Sequence, residues 1–154
     1  MPDRLEALYR SVPDRYARWE PASWDGCPGE TFAALGQLCH VRDLEVDGYQ
    51  ERFRRVLAEE RPFLASIDGY AVARERRYEQ ADAAEVLASF RAARAQTVAT
   101  LSAVSDAQLR RRGEFEGYGP VTLEGLVRFL CSHDEQHLAC LHWLLGKALS
   151  SSQD

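Results

Sequence analysis

The stretch Leu130-Cys131-Ser132-His133-Asp134-Glu135-Gln136-His137-Leu138 decides how this chain is read. On an α-helix, side chains four residues apart lie one turn apart on the same face. His133 and His137 therefore share a face, and two imidazoles so placed can grip one metal ion. Turning about 100° per residue, Leu123, Leu126, Phe129, Leu130, Leu141 and Leu144 fall on the same stripe. Glu124, Arg128, Glu135 and His142 fall opposite. Two imidazoles within an apolar stripe need partners, because a buried polar group left unpaired costs roughly 1–3 kcal/mol. A shared metal satisfies both. Hydrogen bonds inside the core would also satisfy them, and the residues alone leave that alternative open.

The chain has four histidines. His40 stands 133 − 40 = 93 residues upstream of the pair, on another helical segment. Three histidines from two helices make a three-ligand site with coordination positions left open, as catalytic metals need. On its own wheel His40 neighbours Ala33, Gly36, Gln37, Asp43, Leu44 and Asp47, while the apolar stripe centred near Leu35 and Phe53 lies on the far side. It reads either as a solvent-exposed histidine or as one facing a polar, water-filled pocket. In the second case Asp43 and Asp47 are candidate partners for a ligand nitrogen or a catalytic water. Cys140, three residues after His137, is a candidate fourth ligand. Helical side chains lean towards the N-terminus, however, and a packed core thiol is the expectation. Zinc proteases use H-E-x-x-H; here Asp134 follows the first histidine and Glu135 points to the outer face, which argues against proteolysis.

Outward from the histidines the chain reads as helical almost throughout. Leu5, Leu8, Tyr9, Val12, Tyr16 and Trp19 recur at helical spacing over residues 3–19, with Pro13 placed to kink or split that helix. Pro21 to Gly29, which includes Trp24, reads as a loop. A second helix is predicted from about Thr31 to Glu60, ended by Pro62. Residues 63–81 read as a connection holding a short helical piece. Asp82 with Glu85, and later Ser105 with Gln108, are capping-box patterns; the first opens a helix to about Val104. Arg111 to Pro120 reads as a glycine-rich loop, and Thr122 as the cap of a last helix to about Leu149. No strand-type alternation or internal repeat stands out. The predicted architecture is a single all-α domain over residues 1–149, a four-helix bundle with one long crossover between the second and third helices. Residues 150–154 form a frayed tail.

Composition excludes several classes. A chain of 154 residues with 45% hydrophobic and 28% charged residues is globular rather than disordered. A net charge of −5 argues against nucleic acid and anionic lipid as partners. The clusters Arg52/Arg54/Arg55, Arg74/Arg76/Arg77 and Arg110 to Arg112 are interleaved with acids and read as solvated helix faces. No apolar run reaches the roughly 18–20 residues of a membrane span, and the start, Met-Pro-Asp-Arg-Leu-Glu, lacks a signal peptide's apolar core. Cys27, Cys39, Cys131 and Cys140 show no C-x-x-C spacing and are read as reduced thiols of a cytoplasmic protein.

The order Trp24, Phe32-x-x-Leu35-x-x-Leu38-x-His40, Gly119-Pro120-Val121-Thr122-Leu123 and His133-Asp134-x-x-His137-Leu138 resembles the DinB/YfiT-like superfamily over about Leu5 to Leu145. The resemblance implies a four-helix bundle, often dimeric. It also implies a divalent metal, nickel or zinc, held by His40, His133 and His137. Some members are thiol-S-transferases or isomerases that use low-molecular-weight thiols. The expectation is a metal-dependent enzyme on a small molecule, a thiol-S-transferase or a hydrolase, with Asp43, Asp47 or Asp134 shuttling the proton. The alternatives are a non-catalytic metal-binding, stress-response bundle and a metal-free bundle with hydrogen-bonded histidines. A homodimer is expected through Leu138, His142 and Trp143 near the end of the last helix.

Overall fold

The computed structural model describes residues 1–18 and 32–150. The loop expected at 21–29, the stripe position at Trp19, the side chain of Tyr16 and the tail beyond Ser150 lie outside the described residues. The first helix is split as its proline requires: α1 (Pro2–Ser11) ends at an extended Val12, and α2 (Asp14–Ala17) is a short turn. The second helix is one rod in three parts: α3 (Ala34–Asp43), a π-helical segment (Leu44–Gln50) and α4 (Glu51–Ala58). Both junctions keep right-handed helical backbone angles, so the chain does not break. The π segment holds an extra residue per turn and re-aims the side chains that follow it.

The connection contains β1 (Phe63–Leu64), α5 (Gly69–Arg76) and a 3₁₀ turn at Tyr78–Gln80. Then come α6 (Ala83–Ser102), α7 (Asp106–Leu109), β2 (Arg112–Phe115), β3 (Gly119–Thr122) and α8 (Leu123–Ser150). The local start signals act as caps, though Asp82 with Glu85 forms only the forward half of the capping box expected there. The Asp82 carboxylate accepts the Glu85 amide, Ser105 and Gln108 close a reciprocal capping box, and Thr122 Oγ1 accepts the Gly125 amide at 3.0 Å.

Two expectations need correction. The 111–120 segment is a β2–β3 hairpin, not a loop, and β1 pairs parallel with β2 through Phe63↔Glu114 and Leu64↔Phe115. Gly117 and Gly119, at φ +81° and +80°, make the turn that ordinary residues would resist. The bundle therefore carries a small three-stranded sheet at one end. Leu138 is not an outward group: it is 1% exposed and packs in the core, while His142 is exposed and Trp143 is half-buried. No helix among the described residues is long and apolar enough to cross a membrane.

The core is two apolar clusters with a polar layer between them. One contains Leu5, Leu35, Leu38, Phe90, Leu138, Leu141 and Leu144; the other contains Tyr49, Phe53, Val56, Leu64, Phe115, Leu123, Leu126 and Leu130. On α8 the boundary falls between Leu130 and Leu138, where His133, Asp134 and His137 sit. On the second helix it falls between Val41 and Tyr49, where Glu45 is fully buried. The histidines thus occupy a polar layer flanked on both sides by apolar packing.

Candidate metal centre

His40, from α3, and His133 and His137, from α8, meet in this layer. One ring nitrogen from each lies within 4.8 Å of those from the other two. His133 Nε2 stands 3.2 Å from His40 Nε2 and 3.0 Å from His137 Nε2. His40 and His137 are buried and His133 is partly buried. The reading of His40 as solvent-exposed is therefore overturned. The helix wheel gave it a polar face, but α5, α6 and α8 all pack on α3 and cover that face. Gly69, the first residue of α5, makes this possible: a β-carbon there would stand 2.5 Å from His40 Cε1.

Burial holds all three imidazoles neutral. It pushes His40 down to about 4, with Asp43 opposing, and His133 down to about 3, with the charges of His40, Arg52 and Arg94 adding to the effect. His137 is lowered well below the usual value by burial and then by the other two histidines. Neutral imidazoles carry the lone pair a cation needs. His137 Nδ1 faces the buried Gln37 Oε1, which accepts its N–H and so leaves the His137 Nε2 lone pair for the cluster. His40 Nδ1 and His133 Nδ1 are buried without a hydrogen-bond partner among the described residues. In a tetrahedral zinc site, with metal–nitrogen distances of about 2.0–2.1 Å, ligand nitrogens sit roughly 3.3 Å apart. The observed 3.0 and 3.2 Å spacings fit such an ion closely.

Among the described residues a cavity reaches the cluster from one side. It measures about 420 Å³ and is lined by His40 and His133 together with Phe32, Tyr49, Arg52, Phe115 and Phe129. His137 is 1% exposed and closes the inner side.

The candidate aspartates lie elsewhere. Asp43 accepts the Tyr78 hydroxyl at 2.7 Å and pairs with Arg42 and Arg76; Asp47 pairs with Arg76 at 2.8 Å. Asp134 takes two hydrogen bonds from Arg94, at 2.7 and 3.0 Å, and Arg94 also clamps Glu45 at 2.8 and 2.9 Å. None of the three aspartates lines the cavity. Cys140 is fully buried and disulfide-bonded, so it is neither a free thiol nor a candidate ligand. The reading of all four cysteines as reduced is corrected there; Cys39 and Cys131 are free. Sequence reasoning missed Gly69 and the Glu45–Arg94 pair, named Gln37 only as a neighbour of His40, and read Arg52 as part of a solvated face, whereas it is buried against Tyr49 and Phe115. A glutamine three residues before His40 was the only local signal among them.

Fold and site together define a four-helix bundle with a three-histidine cluster, and the comparisons agree on the class. The DinB superfamily model matches residues 1–141, so the chain belongs to the DinB superfamily. Among solved structures it resembles YfiT from Bacillus subtilis, at 20% identity and a TM-score of 0.81, over 95% of this chain and 80% of that one. That protein is described as "a probable metal-dependent hydrolase with an unusual four-helix bundle topology". At this identity the likeness establishes the fold. A search of curated proteins finds no match.

Proposed function

We propose that this chain is a divalent-metal-dependent enzyme acting on a small molecule, with His40, His133 and His137 as ligands. One observation carries the reading: three neutral imidazoles converge at 3.0 and 3.2 Å beside a cavity lined by two of them. A divalent ion held there, nickel or zinc by family resemblance, would supply the Lewis acidity that makes a water or thiol nucleophilic near neutral pH.

The chain's own groups prepare that chemistry. Gln37 fixes the tautomer of His137. Burial keeps protons off the ring nitrogens. Phe32, Phe115 and Phe129 narrow the approach and limit bulk water. A hydrolase is the first reading, supported by the description of YfiT. Transfer of a low-molecular-weight thiol to an electrophile uses the same ligands and the same open side. A sealed, non-catalytic site fits the open cavity less well. With the aspartates held in ion pairs, proton transfer through Asp43, Asp47 or Asp134 requires one of those pairs to open. A homodimer belongs to the same proposal, with the exposed His142 and half-buried Trp143 of α8 as its face.

Metal analysis of the protein purified without chelator tests the reading. One equivalent is expected in the wild type and in His142→Ala, and sharply less in His40→Ala, His133→Ala or His137→Ala. Equal content in all variants overturns it. A hydrolase is then separated from a thiol transferase by turnover with ester and amide panels against turnover that requires an added thiol.

A further inference from the structure

Among the described residues lining the cavity beside His40 and His133, Arg52 alone carries a fixed charge. It sits on α4, just after the π segment, and is only 4% exposed. Its Nε and Nη2 both donate to the Ala65 carbonyl, at 3.3 and 3.0 Å. Its guanidinium lies over the Phe115 ring at 4.5 Å and the Tyr49 ring at 5.2 Å. Among the described residues no carboxylate pairs with it and Nη1 makes no hydrogen bond. A β-carbon at Gly48 would stand 3.0 Å from that Nη1, so the guanidinium lies close against this glycine and a larger residue there would press on it. Arg94, the other deeply placed arginine in this part of the core, is matched by two carboxylates. A guanidinium stays charged in proteins. One carbonyl and two ring faces compensate its lost hydration poorly compared with an anion.

The aromatic side of the cavity begins at the ring that the guanidinium covers. Phe115 and Tyr118 stack at 4.6 Å, and Tyr118 meets Phe129 at 5.3 Å. Glu116, near the rim, is exposed and already holds the Ser66 amide at 2.8 Å.

We infer that Arg52 is the anion anchor of this pocket and that the substrate is a small organic acid. Its carboxylate meets the Arg52 guanidinium, its apolar body lies on Tyr118 and Phe129, and its reacting group faces His40 and His133. The inference rests on the reading of the three histidines as the reactive centre, but the charge preference it requires belongs to Arg52 and does not depend on a metal.

Phenylacetate and phenylacetamide are matched probes that differ in charge. Titration into metal-loaded wild type, followed by NMR, is expected to show phenylacetate bound about tenfold or more tightly than the amide, the scale of a charged hydrogen bond. Arg52→Gln, which keeps a polar group for Ala65, should lose that preference, and His137→Ala should keep it. A preference that survives Arg52→Gln, disappears in His137→Ala or is absent from the wild type overturns the inference. Should Arg52→Gln fail to fold, chelator-stripped wild type decides: retained preference supports Arg52, and lost preference assigns the anion to the ion. A wild type that binds no metal yet prefers phenylacetate would refute the metal reading and leave the anchor standing.

Discussion

The polar layer between the two apolar clusters has two halves, built to opposite standards. On one side Arg94 meets Glu45 and Asp134 with four hydrogen bonds between 2.7 and 3.0 Å. Burial alone would lower the Arg94 pKa, but the hydrogen bonds to Asp134 and Glu45 outweigh it and raise it. Burial raises Asp134, with Arg94 opposing. This half is complete. On the other side three imidazoles press Nε2 against Nε2, two Nδ1 atoms have no partner among the described residues, and a cavity reaches the cluster. Buried polar groups that are satisfied serve the fold; groups left short of partners point to something bound. On the proposed function, the contrast gives stability to the arginine half and binding to the histidine half.

The largest expected effect lies in the arginine half. Arg94→Met leaves two buried carboxylates facing each other without a cation, and breaking such a network costs about 3–5 kcal/mol. Urea unfolding should show a loss on this scale with the slope unchanged. A loss below about 1 kcal/mol would show that Glu45 and Asp134 relax or share a proton, and would remove the stabilising role.

The next effect lies in the histidine half. A ligand present at about 100 times its dissociation constant adds about 2.7 kcal/mol. Stripping the metal should therefore lower the melting temperature by several degrees, and restoring nickel or zinc should recover it. His137→Ala should melt like the stripped wild type whether or not metal is added. A melting curve indifferent to verified metal removal would mean that this half is satisfied by its own hydrogen bonds.

Gln37→Leu sharpens the division further. It removes the acceptor that orients His137 while keeping an apolar volume in a fully buried site. Loss of such a supporting contact weakens metal binding by roughly 10–100-fold. Competition with a metal-binding dye measures it, and an unchanged affinity would show that packing alone sets the ring.

The two halves also differ in how far the sequence exposed them. The histidine pair is a local signal, since one turn of helix places His133 over His137. The caps at Asp82, Ser105 and Thr122 were legible for the same reason: each bond spans three residues. His40 was joined to the pair by residue type and by family resemblance, while its own wheel left exposure and a polar pocket both open. Arg94 joins Glu45 across 49 residues and Asp134 across 40, and no periodicity announces such pairs. The small sheet was missed on similar grounds. Its strands have two to four residues, and Phe63 finds Glu114 only once the bundle has formed. A wheel describes one helix in water; it does not register that α3 is packed on several faces.

The smallest effect on folding is expected at His142, the histidine outside both halves. It is exposed on α8, beside the half-buried Trp143. Because it has no place in the polar layer, His142→Glu should keep the metal and the unfolding curve within error of the wild type. It should act on association alone. A charge placed at the centre of a two-fold interface meets its own copy, and like charges facing each other oppose pairing. If the dimer forms through this face of α8, sedimentation should show the wild type as a dimer and the variant as a monomer with metal bound. A wild type that sediments as a monomer at high concentration removes the dimer. A variant that stays dimeric moves the interface to another face. A variant that loses its metal would show that the two-half division is wrong, because the fourth histidine would then be coupled to a site that it does not touch.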